Sequence, residues 1–107
     1  MGEDKITSEK RKAMDQINEL FRGIRELRNQ FLLHARKYFQ ALNKNNRNEA
    51  ENHRKKADDI SGQIFGDLLR IVGIAERIDD EASKNTAVLM MKKISETRKL
   101  IGLKTQI

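Results

Sequence analysis

Residues 13–41 read AMDQINELFRGIRELRNQFLLHARKYFQA, and one uninterrupted pattern runs through them. Its members recur at alternating steps of four and three: Ala13, Ile17, Leu20, Ile24, Leu27, Phe31, His34, Tyr38 and Ala41. Steps of four and three return to the same side of an α-helix, so the pattern predicts a long helix with a heptad seam. The other parts of the chain can be interpreted by how they cover this seam.

The composition excludes several classes of protein. The chain has 107 residues, no proline, no cysteine and 36% charged residues, which favours one domain of long, surface-rich helices over a β-sheet. Without cysteine there is neither a disulfide nor a thiolate-ligated zinc. No apolar run approaches the roughly 20 residues of a membrane-spanning helix, and the polar start predicts no secretory signal. We therefore expect a cytoplasmic protein.

The first two helices are predicted to form a hairpin. Thr7 or Ser8 is the expected N-cap of a helix from about residue 8 to residue 43. The asparagine-rich stretch 43–48 favours a turn, because asparagine tolerates left-handed conformations and can cap helices. A second helix of similar length follows from about residue 47 to 81. A short turn between helices of matching length predicts antiparallel packing.

A shorter third helix is predicted from about residue 84 to 102, with Ser83 or Asn85 as its N-cap and Gly102 as its C-cap glycine. The second helix is apolar on nearly every side between Ile64 and Ala75, which requires more than one neighbour.

The fold class predicted for residues 1–107 is therefore all-α, a single coiled-coil-like three-helix bundle. A long antiparallel helical hairpin carries the shorter third helix packed on its open end. That helix is expected to cover Met14–Leu27 and Phe65–Ile78, and to leave the turn end bare.

No arrangement of residues indicates catalysis or a cofactor. His34 and His53 both lie on seams within a turn or two of each other, but a metal site needs further ligands that the sequence does not place nearby. The acid pairs Asp58-Asp59 and Asp79-Asp80 point to different helix faces, so they do not converge as a general acid and base would. No phosphate-binding loop or nucleophile motif is present. We predict no enzymatic activity, no metal and no small-molecule substrate.

The charge distribution indicates an anionic partner. Net charge is +6, and residues 1–46 carry ten basic and six acidic residues, residues 47–81 six and nine, and residues 82–107 six and one. Basic helix faces bind lipid headgroups or nucleic-acid phosphates. The residues predicted to bind such a surface are Arg22, Arg25, Arg36, Lys92, Lys93, Arg98 and Lys99. The alternative interpretation is a solvated basic surface without a partner.

The sequence also resembles the core of the ESCRT-III family, which includes cell-division members. Residues 35–50 (ARKYFQALNKNNRNEA) are similar to that family's hairpin tip, with an alanine–leucine run, a polar turn and an R-x-x-A step. Residues 57–60 (ADDI), 69–72 (LRIV) and 75–78 (AERI) are similar to its second helix. Residues 90–94 (MMKKI) fall where its third helix begins. The similarity extends over about residues 8–103.

The resemblance implies a non-enzymatic assembly protein that polymerises on anionic membranes for remodelling or cell division, peripheral at the inner membrane surface. It implies a homo-oligomer in which the hairpin tip of one copy docks on the open end of the next. The self-association residues would be Tyr38 and Phe39 at the tip with Phe65, Leu69 and Val72. Two alternatives remain open: a small basic helical nucleic-acid-binding protein, and a coiled-coil adaptor that homo-oligomerises. Aromatic residues are not interleaved with the basic ones, which argues against a protein that recognises a specific single-stranded nucleic acid.

Overall fold

The computed structural model describes residues 2–104, with side chains from residue 7 onward. Three helices make up this part of the chain: α1 (Gly2–Asn43), α2 (Arg47–Arg77) and α3 (Glu81–Leu100). No strand occurs between residues 2 and 104. The molecule is a rod with extents of 66 × 21 × 15 Å. The predicted all-α class and helical hairpin are confirmed.

The heptad seam joins α1 to α2. Ile17, Ile24 and Phe31 on α1 are almost completely buried, and they share one core with Ile64 and Leu68 on α2. Each such side chain contributes about 1.5–3 kcal/mol when it leaves water. The hairpin is therefore held by large apolar side chains along most of its length, as the pattern of fours and threes predicts.

The turn between α1 and α2 is a Schellman motif built by asparagines. Asn45 has a left-handed backbone (φ 57°), and its N–H donates to the Leu42 carbonyl at 3.0 Å. The N–H of Asn46 donates to the Ala41 carbonyl at 2.9 Å, while its side chain accepts from the N–H of Glu49 and so caps α2. Asparagine suits both positions because it tolerates φ > 0 and is a strong N-cap.

The connection between α2 and α3 repeats this geometry with aspartates. Asp79 is left-handed (φ 56°), and the N–H of Asp80 donates to the Ala75 carbonyl at 2.9 Å. Asp80 also caps α3 by accepting from the N–H of Ser83 at 3.1 Å and from its hydroxyl at 2.6 Å. These hydrogen bonds hold the pKa of Asp80 below its usual value.

The predicted helix ends need correction at three places. α2 ends at Arg77 rather than near residue 81, because Asp79 leaves the helical conformation. Consequently α3 begins at Glu81, and its N-cap is Asp80 rather than Ser83 or Asn85. α1 passes through the predicted caps Thr7 and Ser8 and begins at Gly2. The other three predicted ends are confirmed. α1 ends at Asn43, α2 begins at Arg47, and Gly102 (φ 77°) follows the end of α3, where the N–H of Leu103 donates to the Arg98 carbonyl at 2.8 Å.

α3 packs on α2 from the open end of the hairpin, as predicted, but it does not cover the predicted part of α1, Met14–Leu27. It packs chiefly on α2, with little contact to α1. Its C-terminal end reaches far along α2, because Arg54 donates to the Gly102 carbonyl at 3.1 Å and Arg98 pairs with Asp58 at 2.8 Å. The prediction that α3 covers only the half of the hairpin away from the turn is therefore wrong. The bare tip is shorter, and it is α1 that keeps an open flank.

Candidate anionic-surface interface

A row of arginines lies on the face of α1 opposite the seam. Arg22, Arg25 and Arg36 are all exposed, and so is Arg11. Arg22 and Arg25 are three residues apart, and the pairs Arg11/Arg25 and Arg22/Arg36 are each two heptads apart, so all four lie on one side of the helix. Asn18, Asn29 and Gln40 occupy the intervening positions of this side, so it carries positive charge and neutral amides along most of α1.

The row retains its charge for an external partner. Within residues 7–104, the ion pairs are Arg54–Glu51, Lys84–Glu76 and Arg98–Asp58, together with His53–Glu49 when the His53 imidazole is protonated. None of these involves an arginine of α1. A solvated arginine presents a planar fork of donors that matches phosphate and carboxylate oxygens. The face can therefore bind anions without first breaking an internal pair.

A groove separates α1 from α3, because α3 packs on α2 instead of filling the space beside α1. The groove has a volume of about 600 Å³. Its lining combines apolar and basic side chains with polar ones: Asn18, Phe21, Arg22, Arg25, Arg28, Thr86 and Met90. None of these lining residues is acidic.

Exposed apolar side chains continue along the same flank of α1. Leu32, Phe39 and Leu42 are each about two-fifths exposed, and Met14 is exposed to a similar degree near the other end. These residues and four of the groove residues on α1 follow a second heptad pattern, which is the seam shifted by one position: 14, 18, 21, 25, 28, 32, 35, 39 and 42. α1 thus has a second side suited to an apolar and anionic partner.

The second heptad also identifies a groove residue that sequence reasoning missed. Arg28 occupies a position of this heptad, between Phe21 and Ala35, and lines the groove. The shifted pattern could have revealed it. The shifted pattern is hard to recognise because its apolar members, Met14, Phe21, Ala35 and Leu42, look like an extension of the first seam.

On α3 the predicted basic residues divide into two groups. Lys92, Lys93 and Lys99 are exposed. Arg98 is only 7% exposed, so its prediction as a surface-binding residue is wrong. Its guanidinium donates to the Asp58 carboxylate, the Ser61 hydroxyl and, from Nη2 at 2.7 Å, the Lys104 carbonyl. Arg98 therefore joins α3 to α2, and four of its five N–H groups are used within the chain.

The residues predicted for self-association differ in accessibility. Leu69 is 63% exposed on α2, and Phe39 is exposed at the tip. Phe65, Val72 and Tyr38 are partly buried and pack against the core, so much of their apolar surface is already used within the chain. Leu69 and Phe39 are thus the members of this set that present free apolar area.

The two histidines meet near the tip. Their Nδ1 atoms lie 3.0 Å apart, and their rings stack with centroids separated by 5.3 Å. Partial burial, followed by the positive charges of His53, Lys56 and Lys37, lowers the pKa of His34. Nε2 of His53 lies 3.8 Å from a Glu49 carboxylate oxygen. No cluster of three or more metal-ligating side chains occurs in the part of the chain that the structure describes.

None of the described helices is long and apolar enough to span a bilayer. Comparison with protein-family models, with curated proteins and with solved structures finds no match for this chain. The geometry of α1 and of the groove beside it is therefore what indicates a function.

Proposed function

We propose that this protein is a non-enzymatic assembly protein that binds the inner surface of anionic membranes through α1 and polymerises there. The observation that carries the proposal is the row of exposed arginines on α1, none of which takes part in the ion pairs of residues 7–104. Because α1 has 42 residues, several of its arginines can contact the phosphates of one membrane surface at the same time. Each basic residue near an anionic surface contributes about 1 kcal/mol.

The apolar residues beside the row favour a membrane over a purely polar partner. Leu32 and Phe39 lie on the flank of α1, next to the side that carries Arg25 and Arg36. Helices that lie in the membrane interface combine basic residues with apolar ones that enter the headgroup region. Nucleic acid shares the phosphate chemistry, but a base-paired duplex offers little apolar surface to Leu32 and Phe39, since its bases can stack on a side chain only where they are unpaired.

The ESCRT-III resemblance adds polymerisation to this proposal. The exposed apolar side chains of Phe39 and Leu69 lie on different helices. Phe39 is on α1 near the tip, and Leu69 is on α2 in the part along which α3 packs. A contact between these two different patches on successive copies would be head-to-tail, and such contacts produce open filaments unless they close into rings. Remodelling of a membrane would follow from growth of the filament on its surface.

The proposal is tested by sedimentation with vesicles of phosphatidylglycerol and phosphatidylcholine, and of phosphatidylcholine alone, over a series of salt concentrations. We expect the protein to pellet with anionic vesicles only, and less as salt rises. Negative-stain microscopy of the pellet should show filaments. Parallel retention on duplex DNA checks the alternative.

The decisive comparison uses two triple variants with the same net charge. R22Q/R25Q/R36Q removes the row on α1, whereas R47Q/R70Q/R77Q removes three exposed arginines of α2. The first should abolish pelleting and the second should leave most of it. Equal loss in both variants would contradict a dedicated face on α1, and DNA retention without pelleting would replace the membrane proposal with the nucleic-acid alternative.

A further inference from the structure

We propose that the groove between α1 and α3 is a binding site for a single anionic phospholipid, with the phosphate on the arginines and the first part of an acyl chain over Phe21 and Met90. This inference deepens the proposed function and rests on it. The proposed function requires only a charged face on α1, whereas this inference assigns a defined lipid-binding site to the groove.

The arginines of the groove surround a common space. Arg22, Arg25 and Arg28 occur within two turns of α1 and all line the groove. Thr86 adds a hydroxyl from α3, and Asn18 adds an amide from the preceding turn of α1. Phosphate oxygens accept several charge-assisted hydrogen bonds at once, and arginine supplies them in a fixed fork. The lining therefore concentrates donors on one anion.

The apolar floor restricts the class of ligand. Phe21 is partly buried against the core and Met90 is partly buried on α3, so the two side chains present fixed apolar surface to the groove. A free phosphate would leave this surface in contact with water. A phospholipid covers it with methylene groups, each of which contributes about 0.8 kcal/mol when buried. The groove thus fits an anionic amphiphile better than an inorganic anion.

Charge around the groove remains positive beyond the lining. Lys93 is exposed and lies two turns after Thr86 on the same side of α3. The charged groups that line the groove are all basic, and none of the lining residues takes part in the ion pairs of residues 7–104. An anionic headgroup enters without displacing a protein carboxylate. A zwitterionic headgroup gains less, because its cationic part meets only arginines.

The test is an NMR titration of the isotopically labelled protein with short-chain phosphatidylglycerol below its micelle concentration. Separate arms use short-chain phosphatidylcholine, inorganic phosphate and a short oligonucleotide. We expect the largest amide shifts at Phe21, Arg25, Arg28, Thr86 and Met90, with phosphatidylglycerol binding more tightly than the other three. Phosphate binding as tightly as the lipid, or the oligonucleotide producing the same shifts at higher affinity, would overturn the assignment.

Two single variants separate the groove from the general charge of α1. R28Q removes a groove arginine and R36Q removes an exposed α1 arginine outside the groove. We expect R28Q to weaken phosphatidylglycerol binding about threefold to tenfold, which corresponds to the net free energy of one typical hydrogen bond, and R36Q to change it less than twofold. Equal weakening in the two variants would overturn the proposal.

The failure of the site and the failure of the proposed function give different results. If the wild-type protein pellets with anionic vesicles but the lipid produces no localised shifts, the groove is not a site and the membrane proposal stands. If shifts are localised but vesicles do not pellet the protein, the groove binds the lipid and the proposed function is wrong.

Discussion

The body and the tip of the hairpin are built from different side chains. In the body, where α3 lies on α2, the core contains Ile64, Leu68 and Ile71, all with no exposed surface. At the tip the buried seam residues are alanines, including Ala41 and Ala50, and α3 does not extend there. Small buried side chains remove less apolar area from water, so the tip contributes less stability per residue. The body fixes the fold, while the tip and the open flank of α1 carry surface that the fold does not need.

Truncation of one large side chain in each region tests this difference most strongly. Leu68→Ala removes a fully buried side chain and should lower the free energy of unfolding by about 2–5 kcal/mol, because the loss of burial adds to the cost of a cavity. Phe39→Ala removes a side chain that is 43% exposed, and should cost less than about 1 kcal/mol. Urea denaturation followed by circular dichroism measures both. Similar losses would mean that the tip is as tightly packed as the body.

Arg98 marks the boundary between the two regions, and its replacement should have the next largest effect. Arg98→Met keeps much of the aliphatic stem but removes the hydrogen bonds to Asp58, Ser61 and Lys104. We expect a loss of about 1–3 kcal/mol, the range for hydrogen bonds that involve a charged group. The Ser61 hydroxyl keeps the bond that it donates to the Asp58 backbone carbonyl at 2.9 Å, and the half-exposed Asp58 carboxylate can be rehydrated.

Lys99→Met is the matched control for this variant, since Lys99 is the exposed neighbour of Arg98 on the same helix. It should change stability by no more than about 0.5 kcal/mol. Hydrogen exchange should show faster opening of the last turn of α3 in Arg98→Met alone, so that the bare tip becomes longer. Unchanged protection in that turn would show that α3 is held by its apolar face alone.

The sequence predicts the hairpin because residues close together in the chain determine it. The steps of four and three in α1 specify which residues face α2, and the asparagines specify the turn. The predicted end of α2 is too late because Asp79 adopts a left-handed backbone. That conformation is uncommon for residues other than glycine, although aspartate tolerates it better than most, and nothing around Asp79 in the sequence requires it.

The errors at the candidate site have a non-local cause. In the sequence, Arg98 looks like any other basic residue near a helix C-terminus. Its partner Asp58 lies on α2, and only the packing of α3 on α2 brings the two together. The groove likewise depends on α3 packing on α2 and away from α1. Helix faces follow from periodicity, but the choice of neighbour for an amphipathic helix depends on the whole packing arrangement.

The smallest expected effect concerns pH at the tip. The pKa of His34 is lowered in the fold by partial burial and then by His53, Lys56 and Lys37, while Glu49 lies beside His53. The unfolded chain therefore binds more protons than the folded chain between the folded pKa and the ordinary value near 6.5. Stability should fall as pH drops through this interval and level off below the folded pKa.

A His34→Gln variant should lose this dependence, since glutamine does not titrate. The capping carboxylate of Asp80 has a lowered pKa, so its contribution is lost only as pH falls below its ordinary value near 3.8, which lies below the range of pH 7.5 to 5.5 used for the measurement. Hydrogen exchange between about pH 7.5 and 5.5 locates the effect, after correction for the intrinsic exchange rate at each pH. Acidification should increase opening of amides near His34 and His53 more than of those near Leu68. A wild-type pH slope that persists in His34→Gln, or an increase of equal size in the body, would show that the histidine contact does not make the tip the acid-sensitive region.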